Sequence, residues 1–381
     1  MPDHSRYFDH AATTVMRPEV VEAMLPYYMN QFGNPGSLHQ YGLLAKEALE
    51  TARTLIAGTI GARSKELIFT GSGSESNNLA VLGAARRMRR LGRGDHVIAS
   101  SVEHPSVREA CHALEREGFR ITFVPVDPHG RVDAEEVRKA VRSNTVLVSV
   151  MHANNVVGTL QPIAEIGGWL RQQGILFHTD AVQSYGKVPV RVDELNVDLL
   201  TINAHKIGGP KGVAGLYVRK GVRLEPIVYG GGQERGLRSA TQNVAGIVGF
   251  AKAAELAVSC LPAEKDRLER LKRRLIERLL SRIPGCVING DPDNSLPTHL
   301  NISIERIEGQ ALMLELDRLG FSTSSGSACS STDSEPSYVL LAMGKSREVA
   351  LESLRISMGR TTTEQSVDQL ADALVQVVKG W

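Results

Sequence analysis

The chain is poor in cysteine, in aromatic side chains and in excess charge of either sign. Its four cysteines, Cys111, Cys260, Cys286 and Cys329, are widely separated and form no C-x-x-C pair. That argues against a disulfide framework or a zinc site and fits reduced thiols. Forty-four Lys and Arg against 42 Asp and Glu leave a formal net charge of +2. No strong field therefore draws nucleic acid or an anionic membrane, and direct nucleic-acid binding is not expected. No apolar run approaches membrane-spanning length, and the first residues carry no apolar signal-like segment, so the expectation is a cytoplasmic protein without membrane or bound metal. Internal repeats and low-complexity tracts are also lacking. What is present is 42% hydrophobic residues over 381 positions, enough for a large core and for two or three domains. The basic run Arg86-Arg87-Met88-Arg89-Arg90 reads as the solvated C-terminal end of a helix, where cations suit the dipole.

Strand and helix signals alternate from about residue 65 to residue 220. Glu66–Thr70, His96–Ser100, Ile121–Val126, Val146–Met151, Ile175–Asp180 and Leu199–Asn203 read as strands. Glu75–Leu91, Ser106–Glu117, Asp133–Val141 and Ile163–Gln173 read as helices, with Asp133 and Pro162 as start signals. This order predicts an α/β fold on a mostly parallel sheet. After about residue 255 the pattern changes. Glu264–Arg282 is a long charged amphipathic helix leading to a smaller α+β region with Cys286–Asn289, Leu300–Ile304, a helix near Gln310–Leu319, and Leu354–Ser357.

The most informative stretch is Ile175–Gly212. Two short apolar runs end in polar residues, one at Asp180, the other leading into His205 and Lys206. In open α/β sheets ligands sit beyond the carboxyl ends of the strands, so an acid and a lysine reach one crevice. Either residue alone reads as a solvated turn residue. Together, with Gln183 and His205 beside them, they match the protein's half of pyridoxal phosphate (PLP) chemistry: a Schiff-base lysine and an Asp facing the pyridinium nitrogen. Phe69-Thr70-Gly71-Ser72-Gly73-Ser74-Glu75 is a strand, a small-residue turn and a helix start, which suits an anion but is also an ordinary helix cap.

From Tyr7-Phe8-Asp9-His10-Ala11-Ala12-Thr13-Thr14 to Ser357-Met358-Gly359-Arg360 the chain resembles the cysteine desulfurases of the NifS and IscS type, which are fold-type-I PLP enzymes of the class-V aminotransferase family. The resemblance implies a large PLP-binding domain on a mostly parallel seven-stranded sheet over residues 15–255. It also implies a small α+β domain from residues 1–14 plus 256–381. It makes Lys206 the lysine linked to the cofactor, Asp180 the partner of the pyridine nitrogen and Gln183 the donor to the ring's phenolic oxygen. His104, in Val102-Glu103-His104, would stack on the ring and relay protons. Gly73, Ser74 and His205 would bind the phosphate, with Thr241 of Arg238-Ser239-Ala240-Thr241 reaching the phosphate of the neighbouring subunit in a homodimer. Asn203 departs from the family, which usually has Ser or Thr there; its amide can still donate to phosphate.

Ser324-Ser325-Gly326-Ser327-Ala328-Cys329-Ser330-Ser331 is a run of small polar residues around one cysteine. By itself it reads as a mobile loop with an incidental thiol. The resemblance makes Cys329 the nucleophile of a group I desulfurase, and the downstream Glu335-Pro336-Ser337-Tyr338-Val339-Leu340 matches as well. The implied reaction takes L-cysteine to L-alanine. Lys206 removes the α-proton and the Cys329 thiolate takes the substrate sulfur as a persulfide for a protein acceptor. Arg355 would clamp the substrate carboxylate, while Asn155 and Asn34 would orient substrate and cofactor. Relatives of this kind feed iron–sulfur assembly, tRNA thiolation, cofactor synthesis or DNA phosphorothioation. The other three cysteines fall in segments that read as helix or strand. Alternatives are a fold-type-I aminotransferase or β-lyase, which keeps Lys206 and Asp180 but needs no Cys329, a selenocysteine lyase, and a scaffold that has lost catalysis.

Overall fold

A computed structural model describes residues 3–325 and 335–381. Seven strands form the first sheet: β1 (Leu67–Thr70), β2 (His96–Ser100), β3 (Arg120–Val124), β4 (Thr145–Ser149), β5 (Leu176–Asp180), β6 (Leu199–Asn203) and β7 (Ala214–Val218), in the order β1-β7-β6-β5-β4-β2-β3. The pairs from β3 through β6 are parallel, and only β7 runs against its neighbours. The sheet is buried on both faces because successive side chains alternate. Leu67 and Phe69 of β1 join one apolar layer while Ile68 joins the other.

The first layer is completed by α1 (Pro18–Met29), α2 (Gln40–Thr59) and four helices introduced below. On the other face lie α3 (Gly73–Arg90) and α4 (Pro105–Arg116). Both start where the sequence supplies a cap. Ser72 Oγ accepts the Glu75 amide at 3.1 Å, and His104 caps a helix whose first residue is Pro105. The C-terminal arginines of α3 are tied down rather than free: Arg86 pairs with Glu117, Arg89 donates to the Glu117 carbonyl over the Phe119 ring, and Arg90 pairs with Glu225. The short α5 (Ala134–Ala140) is capped by Asp133, and α6 (Ile163–Gln173) closes on Gly174 at φ 67°. After α7 (Val192–Leu195) the long apolar α8 (Val244–Ser259) packs against α1 and α2.

From α9 (Leu261–Arg282) onward a second core forms. Leu268, Leu271, Leu275 and Leu279 recur at three and four residues and are all buried. They meet a four-stranded antiparallel sheet of β8 (Cys286–Asn289), β9 (His299–Ile304), β10 (Ser324–Ser325) and β11 (Ser353–Ser357), ordered β10-β11-β9-β8. Helices α10 (Gly309–Arg318) and α13 (Glu364–Lys379) cover it, with α11 (Tyr338–Ala342) and α12 (Arg347–Leu351) between. Phe8 packs in this core, and the N-terminal segment bridges to it at Tyr7 with Ser322 and Asp9 with Ser357.

The strands and helices expected between residues 65 and 205 form with ends shifted by at most two residues, and His96–Ser100, Ile163–Gln173 and Leu199–Asn203 form as expected. Two departures have physical reasons. Five-residue β7 runs antiparallel, outside the strand–helix alternation that signals parallel strands. Cys260 lies in neither helix nor strand interior: it sits exposed at the junction where Pro262, at the start of α9, breaks the continuity with α8. No single helix among the described residues is long and apolar enough to cross a membrane.

Candidate active site

The carboxyl ends of β2, β5 and β6 and the N-terminus of α3 open on one cleft, the place where parallel sheets bind ligands. Gly73, Ser74, His104, Asn155, Asp180, Gln183, Asn203, His205 and Lys206 line it, joined by Ser72, Asn77, Ser106, Met151 and Val182. Asn34, Thr241 and Arg355 do not line it.

One end is a cup for an anion. The amides of Gly73 and Ser74 begin α3 and have no acceptor within the helix, and the helix end carries roughly half a positive charge. A side chain at Gly73 would push a Cβ to 2.9 Å from Val182 Cγ2, so only glycine leaves the cup open. Asn203 faces it from the end of β6, its Nδ2 3.7 Å from that Cβ position, and its Oδ1 is buried without a partner. His205 Nδ1 bonds Thr13 Oγ1 at 3.1 Å. Burial first, then Lys206, Lys211 and Lys187, push its pKa down to about 4, so it waits neutral for an anion.

Asp180 is wired in place. Its Oδ2 accepts Asn77 Nδ2 at 2.7 Å and its Oδ1 accepts the Val182 amide at 2.9 Å. Gln183 is oriented from both ends, Nε2 donating to the Ala11 carbonyl at 3.0 Å and Oε1 accepting Lys187 Nζ at 3.2 Å. His104 Nδ1 bonds Ser106 Oγ at 2.8 Å and accepts the Ser106 amide at 3.1 Å. Burial lowers its pKa, Asp180 opposes that and Lys206 reinforces it.

Lys206 stands between this cleft and a second pocket also lined by His10, Arg17, Lys187 and Cys260. Its Nζ donates to the Ala11 carbonyl and, at 2.6 Å, to that of Ala12. Arg355 projects from β11 with Nη2 2.8 Å from Asp9 Oδ1 and Nη1 3.1 Å from the Asn155 carbonyl, while its Nε is buried without a partner. Asn155 Oδ1 is likewise buried and unpartnered. Cys329 lies outside the described residues. Of the other thiols, Cys111 is buried and pushed up to about 12 and Cys286 up to about 11, both chiefly by burial, so neither is a nucleophile near neutral pH. Among the described residues no cluster of His, Cys, Asp and Glu could hold a metal ion.

Asn77, Ser106 and Asp9, which orient the residues of this site, were given no role from sequence. Asn77 is one turn after Gly73 and so faces the same cleft, a spacing that could have found it. Ser106 hides inside a helix-start pattern, and Asp9 is joined to Arg355 only by the fold.

The residues fit a phosphorylated pyridine aldehyde. They offer an anion cup with an unpartnered amide, a fixed carboxylate at the strand end, and a lysine beside both. The class-V aminotransferase profile matches residues 6–370, and the chain belongs to that family of fold-type-I, PLP-dependent enzymes. Within it, the chain is 47% identical over 373 residues to the cysteine desulfurase IscS of Dictyoglomus turgidum, spanning 98% of this chain and 94% of that protein. Among solved structures, a NifS-like protein superposes with a TM-score of 0.93 at 37% identity, covering 100% of both chains. SspA in complex with cysteine does so at 0.83 and 37%, covering 94% of this chain and 100% of SspA.

Proposed function

We propose that the chain is a PLP-dependent cysteine desulfurase that converts L-cysteine to L-alanine and hands the sulfur to Cys329 as a persulfide. The observation that carries the reading is the convergence of Lys206, Asp180, His104 and the α3 anion cup on one cleft. A relative named cysteine desulfurase at 47% identity and a neighbouring structure holding cysteine support it.

The cofactor, when bound, supplies an aldehyde carbon for the substrate amine and a ring that accepts the electrons left by the departing α-proton. The chain supplies the rest. Gly73, Ser74, Asn203 and His205 hold the phosphate. Asp180, oriented at the strand end by Asn77 and the Val182 amide, would keep a proton on the pyridine nitrogen. Gln183 has a second Nε2 hydrogen free for the phenolic oxygen. Lys206 Nζ takes the α-proton once its carbonyl contacts are exchanged. Arg355, with its unpartnered Nε, takes the substrate carboxylate, and Asn155 orients it. The Cys329 thiolate bonds the substrate sulfur as the Cβ–S bond breaks. Cβ gains a proton, so L-cysteine plus thiol gives L-alanine plus persulfide.

We further propose a homodimer. Leu25, Tyr28, Met29, Phe32, Leu38 and Tyr41 expose an apolar surface along α1, the following segment and α2, with Leu38 91% exposed. Thr241 and Asn34 are exposed and stand away from their own cleft, a placement suited to a neighbour's. The division into residues 15–255 and residues 1–14 with 256–381, a cytoplasmic location and a protein sulfur acceptor complete the proposal. The two separate cores and Phe8 within the second support the division.

The test is alanine and sulfide production from L-cysteine by purified protein, with persulfide mapping by mass spectrometry. Extra sulfur on Cys329, lost in Cys329→Ser along with turnover, is the expected result. Sulfur on another cysteine, or a Cys329→Ser variant turning over at the parent rate, refutes the reading.

A further inference from the structure

We propose that Asn77 and Ser106 are positioning residues that hold His104 as the neutral imidazole with its proton on Nε2. On this view His104 serves the cleft as a hydrogen-bond donor and ring partner, and the proton transfers fall to Lys206. The inference rests on counting hydrogens along one buried chain. Asn77 Nδ2 lies 2.7 Å from Asp180 Oδ2 and 2.9 Å from Ser106 Oγ. A carboxylate oxygen only accepts, so the amide is oriented with its NH₂ toward Asp180; the flipped amide would set two acceptors against each other. The second Asn77 hydrogen then points at Ser106 Oγ. That hydroxyl accepts from Asn77 on one of its two lone pairs, and because the Ser106 amide fixes Nδ1 as an acceptor its own hydrogen goes to His104 Nδ1 at 2.8 Å. The Ser106 amide donates to the same nitrogen at 3.1 Å. Two donors therefore converge on Nδ1, which leaves it no place for a proton. The neutral ring must carry its hydrogen on Nε2, which has no protein partner among the described residues.

The consequence is chemical. Protonation of the ring would place an N–H at Nδ1 against the Ser106 amide, breaking that bond and forcing the Ser106 hydroxyl to turn from donor to acceptor. Burial and the nearby Lys206 charge oppose the imidazolium too, and Asp180 alone favours it. With Nδ1 occupied as an acceptor and Nε2 already protonated, His104 has no free lone pair with which to act as a base. The chain also ties two functions together. The amide that orients Asp180 is the one that sets the Ser106 hydroxyl, so the proton pattern of His104 follows from the same carboxylate that faces the pyridine nitrogen.

The roles of Asp180 and His104 toward the cofactor come from the desulfurase reading, whereas the tautomer is a property of the protein and can be measured without turnover. The experiment is nitrogen-15 NMR of the holoenzyme labelled in histidine, with the His104 signals assigned by their loss in His104→Gln. The expected result is an unprotonated Nδ1 and a protonated Nε2 throughout neutral pH. Ser106→Ala removes one of two donors and should raise the His104 pKa by about one unit, with the Nδ1–H form appearing. Ser106→Thr keeps the hydroxyl and should restore the parent pattern. A parent ring with its proton on Nδ1, or doubly protonated at neutral pH, overturns the proposal. So does a Ser106→Ala titration indistinguishable from the parent. Failure of the same sample to form alanine from L-cysteine would instead count against the desulfurase reading and leave the tautomer result standing.

Discussion

The two halves of the cleft are held in different ways. On the Asp180 side each functional group is held by fixed neighbours: Asp180 by Asn77 and the Val182 amide, His104 by Ser106, Gln183 by Ala11 and Lys187. On the Lys206 side the partners are ones the chemistry can exchange. Lys206 rests on two backbone carbonyls of the N-terminal segment, and Arg355 rests on Asp9 with one nitrogen unused. The difference matches what each half meets. The first faces the constant part of a cofactor and gains from rigidity, because donors fixed beforehand need no reorganisation. The second faces atoms that arrive, react and leave, so its contacts must be strong enough to orient and weak enough to release.

The largest effect should come from the exchangeable side. Lys206→Ala removes the one amine, among the described residues lining the cleft, that can link to the cofactor and move the α-proton. Alanine formation from L-cysteine is expected to fall by on the order of 10³-fold or more, and the cofactor should no longer be trapped by borohydride. Retention of either property would show that Lys206 is not the exchangeable group.

Arg355→Met tests the same side through binding. Charge-assisted hydrogen bonds are worth about 1.5–3 kcal/mol, so KM for L-cysteine should rise roughly 10- to 100-fold, with the bound-cofactor spectrum unchanged. A change in kcat alone would place Arg355 among the fixed elements. Asp9→Asn is gentler, since an amide oxygen still accepts from Nη2 but without the charge. Part of the guanidinium's orientation is lost, and KM should rise about fivefold. A fall in KM would mean that Asp9 competes with the substrate carboxylate instead of aiming Arg355.

The sequence displays these halves unequally. Asp180, His205 and Lys206 sit at or just past the ends of short apolar strands, and such a continuous apolar run with a polar terminus is a local signal. The anion cup is equally local, a cap and two glycines before an apolar helix. Asp9 and Arg355 are 346 residues apart and meet because Asp9 bridges to Ser357 beside β11, a long-range pairing no local pattern carries. Asn77 and Ser106 are hidden for another reason. Each is a common residue at a helix start, and their significance lies in the direction of hydrogen bonds, which requires coordinates. Antiparallel β7 escaped because the rule of alternating strand and helix looks for parallel neighbours.

The smallest effect on turnover, and the sharpest probe of the rigid half, is expected at Glu103. This carboxyl lies one residue before His104. Its Oε1 accepts the Ser100 hydroxyl at 2.6 Å and the Met151 amide at 2.7 Å, while Oε2 is buried with no partner. Burial raises its pKa from an ordinary 4.5 to about 8 against the opposing pull of those two hydrogen bonds, so the folded protein keeps it neutral at pH 7. The folded pKa lies above the unfolded one, so the folded state holds a proton that the unfolded state has released between about pH 4.5 and 8. The stability tied to this group is therefore complete below pH 4.5, declines as pH rises through that window, and is gone above it. Glu103→Gln imitates the neutral carboxyl at every pH. Buried histidines such as His152 and His178, pushed down to about 4 and about 3 by burial, add slopes of opposite sign in the acid range. They act equally in parent and variant and cancel in the difference. The expected outcome is an unfolding free-energy difference that moves in favour of Glu103→Gln as pH rises from 5 to 8, by an amount on the order of a few kcal/mol at most, with kcat within about twofold of the parent near the neutral range. A difference that stays flat with pH would mean that Glu103 is ionised in the folded protein, and that the wall behind His104 carries a charge the cleft must balance.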